Sequence, residues 1–546
     1  MPLIFALAMS VTLPYDVLEQ VVAYIDDYPD VLNFALSNKE AYSLAVPQHL
    51  HYRDIRCKLR NPSLWQWLSR SENRRVAHIR SLTILPEDAK SHWLPSEHLY
   101  DLRRRLPAEL STHESPSMDL PSEEVLLDSE RKLISALKRM SNLQRFRWYH
   151  LPGPQLNGGN NVWSTLKQLG SVKEVDAVDL GFYFPGVTLM ALSKTFLSLT
   201  GFTSFKHRTA IGDSLSDDKY PEIPLLEHML VYNLPELRVL ALELDHNEQR
   251  KGTADIGFIM TNGRWLFLRV LRLQGVNCRA PELMEFLIFH STLEELALAE
   301  MMPGHAWTQI DLPRDALPNL RHLECSSAQA VALLKNRPNS SLKTLHGVEV
   351  HDTIVNSDYF TWDEDWADWR DCELDDDGAY EKQPSPWKEQ FLECLKAQTS
   401  LTNLRVASID VSQEMETLSI VAPQLKELDI GDRISDAISA NEWHSLYSLF
   451  PLLEVIWAGH LLSLDSVVKP SPEAAVWADR EIQALAWSCP RLRVILIGVW
   501  AKKAVIIRGA ESSVGVSWVV RRWEESEDGQ AKIGEQVFGP EYFVSQ

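Results

Sequence analysis

The chain has 546 residues, 45% hydrophobic and 24% charged, a balance that excludes both a long disordered tail and a protein built of apolar membrane spans. Lys and Arg number 54 against 75 Asp and Glu, a formal net charge of −21. Affinity for a phosphate backbone rests on cations that displace its counterions, so nucleic acid is excluded as the expected partner.

The chain opens on an apolar run, Leu3 to Met9, with no Lys or Arg ahead of it and at the lower length limit of a secretory core. It reads as a short leader, because cleavage would fall against the first folded motif. From Leu13, the stretch Leu13-Pro14-Tyr15-Asp16-Val17-Leu18, followed by Val21, Val22 and Ile25, lays apolar residues along one stripe of a short helix whose start Pro14 suits. Asp26 to Pro29 interrupts the pattern, and Val31, Leu32, Ala35 and Leu36 carry a second helix toward Ser37-Asn38. Ser37 or Asn38 can cap a third helix through Tyr42, Leu44 and Ala45, which Pro47 ends. Helices this short cannot bury all these side chains among themselves, so something else must cover part of them.

These residues resemble an F-box of the form common in fungal proteins. The resemblance covers roughly residues 11–55 and is carried by Leu13-Pro14, Asp16, Val17-Leu18, then Leu36-Ser37-Asn38-Lys39, Tyr42, Leu44-Ala45 and Pro47. It implies docking on the Skp adaptor of an SCF-type ubiquitin ligase, and through it on a cullin scaffold, with Leu13, Pro14, Leu18, Val21, Leu32 and Leu36 as the contact set. Read without the resemblance, the same residues could be only the core of a small helical cap.

A second pattern, apolar-x-x-apolar-x-apolar, begins at Ile79/Leu82/Ile84. Its clearest copies are Leu237/Leu240/Leu242, Leu268/Leu271/Leu273, Leu293/Leu296/Leu298, Leu320/Leu323/Cys325, Leu401/Leu404/Val406, Leu425/Leu428/Ile430 and Leu492/Ile495/Ile497, with weaker ones from Leu143, Val172, Leu342 and Leu453. Several first positions fall about 22–27 residues apart, inside the ~20–29-residue range of leucine-rich repeats. Helical spacing precedes the strand signals, as in Leu283, Phe286, Leu287 and His290 before Leu293. The alternation predicts an α/β leucine-rich-repeat solenoid with a parallel inner sheet and outer helices, and it resembles the irregular repeats found behind F-boxes. A regular Asn or Cys ladder after the third apolar position is missing. A doubly wound α/β domain also alternates strands and helices, but it does not require this triplet at each strand. Burying three such side chains contributes roughly 5–9 kcal/mol per repeat before entropy, at about 1.5–3 kcal/mol each.

The expected organisation is an F-box over 11–55, a connecting segment over 56–128 with a first strand and a Pro/Ser/Glu-rich loop, the solenoid over 129–500 and a C-terminal hairpin and tail over 501–546. An acidic insertion at 349–390 carries Trp362, Trp366, Trp369 and Asp375-Asp376-Asp377-Gly378 and is expected to be solvated and easily cleaved by protease. As a calcium loop it fails, because Pro384 stands where the closing Glu belongs. Ala504 to Ile507 and Val514 to Trp523 suggest a capping hairpin, with a loose tail beyond Glu524.

No phosphate-cradling Gly-rich loop, GxSxG or HExxH is present, and the 17 histidines are dispersed. His290 and His322 sit on repeat elements, where packing or solvation is the ordinary use. The six cysteines form no CxxC pair, which fits a reducing cytoplasmic or nuclear setting and no metal or other cofactor. The expected activity is therefore partner binding: a substrate protein held by the solenoid, or a scaffold acting outside ubiquitylation, with an enzyme whose active site escapes motif reading as the third alternative. Strand alternation turns the residue between the last two apolar positions outward, which selects Arg147, Asp176, Arg272, Glu324, Arg405, Asp429 and Trp457, with Tyr149 beside them. Arg405, Asp429 and Trp457 are the chosen substrate-binding set.

Overall fold

The computed structural model describes residues 14–25, 28–46, 49–86, 123–156, 158–180, 193–211, 223–246, 254–299, 304–338, 340–350, 387–409, 411–431, 433–434, 440–457, 472–497, 502–507, 517–525 and 531–538. Leu13, the apolar leader, most of the Pro/Ser/Glu-rich loop and the three tryptophans of the acidic insertion lie outside the described residues. The chain folds as two compact units, one from Met1–Ala89, Arg104–Val178 and Ser193–Leu199, the other chiefly from Thr200–Gln546.

In the first unit, α1 (Tyr15–Tyr24), α2 (Tyr28–Ser37) and α3 (Lys39–Ala45) precede four parallel strands, Asp54–Lys58, Ser81–Leu85, Arg145–Trp148 and Glu174–Leu180, paired in chain order. Ile55, Leu82, Phe146 and Val175 share one register and are fully buried. The parallel row Cys57, Ile84, Trp148 and Ala177, all buried, places the largest side chain beside the smallest, the large-against-small alternation that lets a layer pack densely. Outer helices begin on side-chain caps: Asn61 accepts from Leu64 N at 3.1 Å, and Asn161 and Ser164 form a reciprocal capping box.

The second unit follows the same plan, and ten of its described parallel strands pair in chain order: Ser204–Ile211, Val239–His246, Val270–Gln274, Glu295–Ala299, His322–Glu324, Thr344–Val350, Asn403–Ile409, Glu427–Asp429, Val455–Trp457 and Val494–Ile497. Phe205, Leu240, Leu271, Leu296, Leu323, Leu345, Leu404, Leu428, Ile456 and Ile495 stand in one register row, all buried. Each of these strands pairs with the next in chain order, which is the solenoid's signature; a doubly wound sheet would reverse order at a switch point.

Where the expected Asn ladder is missing, hydroxyls replace it. The residue just before the first leucine of a repeat donates to the carbonyl of the first leucine one repeat earlier: Thr292 Oγ1 to Leu268 O at 2.7 Å, Ser341 Oγ to Leu320 O at 2.9 Å and Ser400 Oγ to Leu342 O at 2.8 Å. These bonds satisfy carbonyls at the turn into the strand, the same task an Asn ladder performs.

Three expectations need correction. The first strand is Asp54–Lys58, inside and just beyond the segment assigned to the F-box; Tyr52 stands where Ile79 does one repeat later, and an aromatic at that position concealed the pattern. The strand Ser204–Ile211 escaped for the same reason, since Phe202, Phe205 and His207 replace the leucines of Leu237, Leu240 and Leu242. The tail beyond Glu524 contains a third antiparallel strand: Lys502–Ile507 pairs with Val494–Ile497, Ser517–Glu525 with Lys502–Ile507, and Ala531–Phe538 with Ser517–Glu525.

Gly431 follows the strand Glu427–Asp429 at φ +46°, and a Cβ there would lie 2.7 Å from Ala407 O and 2.9 Å from Val406 O. Gly431→Ala is expected to destabilise the second unit by about 2–4 kcal/mol, from left-handed backbone strain plus the clash. Denaturant unfolding of the full chain measures it; a variant as stable as the parent would refute the requirement.

Candidate functional site

The three N-terminal helices have a complete small core and an apolar surplus. Val22, Val31, Ala35, Leu44, Ala45 and Leu50 are buried together, with Leu18, Ile25, Phe34 and Val46 packed against them. On α1 the inward stripe is therefore Leu18, Val22 and Ile25, at helical spacing. A second stripe with the same spacing, Val17, Val21 and Tyr24, faces solvent. On α2, Leu32 and Leu36 lie one turn apart and outward, Leu36 being 71% exposed, and Tyr42 is exposed on α3. Asn38 caps α3 by accepting from Ala41 N at 2.8 Å. Among the expected contact residues, Pro14, Val21, Leu32 and Leu36 are exposed, whereas Leu18 is partly committed to the core. Tyr15, Val17, Tyr24 and Tyr42 join the outward set; for Val17 and Tyr24, four residues before and three after Val21 on α1, that helical spacing was the signal in the sequence that could have found them.

Buried Arg53, at the entry to the first strand, holds this module: its Nη1 donates to Val22 O at 3.3 Å and its Nη2 to Ile25 O. Both carbonyls belong to the C-terminal end of α1, where unpaired acceptors and the helix dipole favour a cation. Behind it, the rings of His49 and His78 meet edge-on with centroids 5.4 Å apart. Burial, then the positive charges of His78, Arg53 and Arg80, hold His49 down to about 4.

On the sheet of the second unit, Arg405, Asp429 and Trp457 are direct neighbours on three consecutive strands. Arg405 Nε lies 3.0 Å from Asp429 Oδ2, and its guanidinium carbon 5.9 Å from the centre of the Trp457 ring. Two residues earlier on the same strand faces, Glu427 accepts from Trp457 Nε1 at 2.9 Å and from Asn403 Nδ2 at 2.6 Å. Asn403 and Glu427 fall outside the predicted set, which holds only the position between the last two leucines, although period-two alternation puts them on the same face. Asp429 differs from expectation: it is buried, and it also accepts from Gly431 N at 3.0 Å, so it orients Arg405 and does not present its own carboxylate.

The other outward residues are dispersed along the sheets. Arg147 and Asp176 are neighbours in the first unit, but Tyr149 beside them is buried, its phenol donating to Asp176 Oδ2 at 2.7 Å. In the second unit Arg272 pairs with Glu295 at 2.6 Å and Glu324 is exposed. Interstrand ion pairs thus occupy much of this face.

His290 is a packing group: its Nδ1 bonds Phe286 O at 2.7 Å and its Nε2 accepts from Trp265 N at 3.2 Å, and burial holds it down to about 4. His322 is exposed. Among the described residues no group of three or more His, Cys, Asp or Glu is placed to hold a metal, and no helix is long and apolar enough to cross a membrane. The five described cysteines are buried and form no disulfide; burial pushes the thiols of Cys278 and Cys394 up to about 12 and about 11.

No family model matches the chain, and no curated protein does. Among solved structures it is similar to a chain of the Rad7 and Elc1 complex of yeast, at 14% identity and a TM-score of 0.32, over 78% of this chain and 90% of that one.

Proposed function

We propose that the protein is a substrate-recognition adaptor of an SCF-type ubiquitin ligase, acting in the cytoplasm or nucleus, with α1–α3 as an F-box that docks on the Skp adaptor and the solenoid holding a substrate protein. The observation that carries the reading is the surplus apolar stripe Val17, Val21 and Tyr24, together with Leu32 and Leu36, on a helical module whose core is already filled without them. Large apolar side chains left at such spacing are a docking face more often than a solvated one. They also fall within the stretch whose order of residues resembles an F-box.

Mixing the purified full chain with recombinant Skp adaptor and resolving the mixture by gel filtration tests docking. A stable complex is expected, and two separate peaks would sink the reading. Recovery of the adaptor without any cullin would leave the scaffold role outside ubiquitylation as the better description.

Substrate capture is assigned to the sheet face around Arg405 and Trp457, where a guanidinium held by a buried carboxylate stands beside an indole, two side chains that commonly anchor protein interfaces. Arg405→Ala combined with Trp457→Ala is expected to lower the yield of cross-linked substrate at least about tenfold while adaptor binding stays intact. An unchanged set of captured proteins would move the site elsewhere. Asp429 is left in place because its loss would strip Gly431 N and Arg405 of their acceptor.

A further inference from the structure

A second exposed apolar surface lies on the helical side of the second unit, across three successive repeats, and the F-box reading does not use it. Its elements are the turn Met229–Asn233, the helix Gly257–Asn262 with the segment that follows it, and the helix Ala280–Phe289. They expose Tyr232, Phe258, Leu266, Phe267, Ile288 and Phe289, with Leu266 67% and Phe267 57% accessible. Side chains of this size, left out by adjacent repeats, are costly in water unless another surface covers them.

The residues are linked. The rings of Tyr232 and Phe258 are 6.4 Å apart, joining the first repeat to the second. Arg264 then joins the second to the third: its guanidinium carbon sits 5.0 Å from the centre of the Phe289 ring, while Nη1 donates to Gly263 O at 3.2 Å and Met260 O at 3.4 Å. Leu266 and Phe267 follow directly, and buried Trp265 fixes their turn by donating its backbone N–H to His290 Nε2. The same elements already bury Leu230, Ile259, Met260, Phe286 and Leu287, so the exposed residues form a face separate from the core.

Arg264 says what kind of occupant fits. Its donors reach only backbone carbonyls and its ring neighbour is apolar, and it forms no ion pair among the described residues, whereas Arg269 and Arg279 nearby each meet a carboxylate, Glu294 at 3.6 Å and Glu282 at 2.9 Å. A guanidinium held against an aromatic ring, with no carboxylate partner among the described residues, is complementary to a carboxylate supplied from outside. Glu285 is exposed one turn before Phe289, so the acidic requirement is local to Arg264 and not a property of the whole face. Neighbouring outer helices pack roughly 8–10 Å apart, and residues i and i+7 of a helix are separated by about 10 Å, so one helix laid across these repeats can anchor once in each. The geometry points to a docking surface for an amphipathic helix of a partner protein that carries a carboxylate between its apolar anchors, opposite Arg264.

The test is selection of binders to the full chain from a displayed library of amphipathic helical peptides, with the positions between the apolar anchors randomised. Recovered peptides are expected to carry Asp or Glu at one fixed central position. They should lose at least about tenfold in affinity toward Phe267→Asp and toward Arg264→Glu, while Leu36→Asp leaves them unaffected. Changing the central acid to Lys should restore binding to Arg264→Glu, a rescue that a misfolded variant could not give. Binders without acidic preference, binders indifferent to Phe267→Asp, or no binders at all would each overturn the proposal. A chain that sediments alone as a dimer and becomes monomeric on Phe267→Asp would also overturn it, because a second copy would then be the occupant.

Discussion

Val21→Asp combined with Leu36→Asp is expected to weaken binding of the chain to the Skp adaptor by more than about a hundredfold while leaving its unfolding midpoint within experimental error. Val21 is 44% and Leu36 71% exposed, so neither substitution opens a cavity in the core of the three helices. At an apolar interface each loses about 1.5–3 kcal/mol of burial and adds the cost of desolvating a carboxylate, and about 2.7 kcal/mol already makes a hundredfold. Leu18→Ala is the contrasting variant. Leu18 packs against the buried cluster that holds Val22 and Leu44, so its truncation should lower stability as well as affinity. Titration of the adaptor against both proteins, with circular dichroism on each, separates the two effects. Unchanged affinity in the double variant would show that these stripes do not dock.

Acid should destabilise the first unit by up to about 5 kcal/mol between pH 7 and 4.5, mainly through His49 and His150. Burial holds both near 4 against an ordinary 6.5. His49 faces His78, Arg53 and Arg80; His150 packs against Trp148, with its Nδ1 3.1 Å from Pro152 O. The native state therefore binds fewer protons than the unfolded chain between those values, so the stability is present above about 6.5 and is lost as pH falls toward 4. Each site contributes a slope of about 1.4 kcal/mol per pH unit in that window. Replacing His150 by Gln should remove one proton from the measured dependence, and a slope that does not change would rule the assignment out. Glu227, in the second unit, runs the other way. Burial and the nearby Asp255 push its carboxyl up to about 7, so the stability it contributes is full below about 4.5 and is lost as pH rises through 7. Glu227→Gln should accordingly stabilise the second unit by about 1–3 kcal/mol at pH 8 and have no effect at pH 4.

What the sequence determined by itself was the layer that water drives inward. Leucine triplets such as Leu268/Leu271/Leu273 mark strands because burial follows side-chain chemistry and strand alternation, both of which are local. The Ser37-Asn38 pair and Pro47 likewise bracketed α3, since capping and helix termination act within a turn, and the structure makes Asn38 the cap. Where aromatic residues take the leucine places, as at Tyr52 and Phe205, the same layer exists but the motif vanishes, because packing constrains volume across neighbouring strands and not residue type. Only the tertiary structure decided which apolar residues were surplus. Leu18 and Val21 look alike in the chain, and the small core takes up one and leaves the other in water. It also decided that Asp429 serves Arg405 and Gly431 and is not itself a free ligand, and that Arg264 stands against the exposed Phe289 ring of the next repeat. Those assignments depend on which residues meet across strands and repeats, often more than twenty positions apart, and no local pattern encodes that distance.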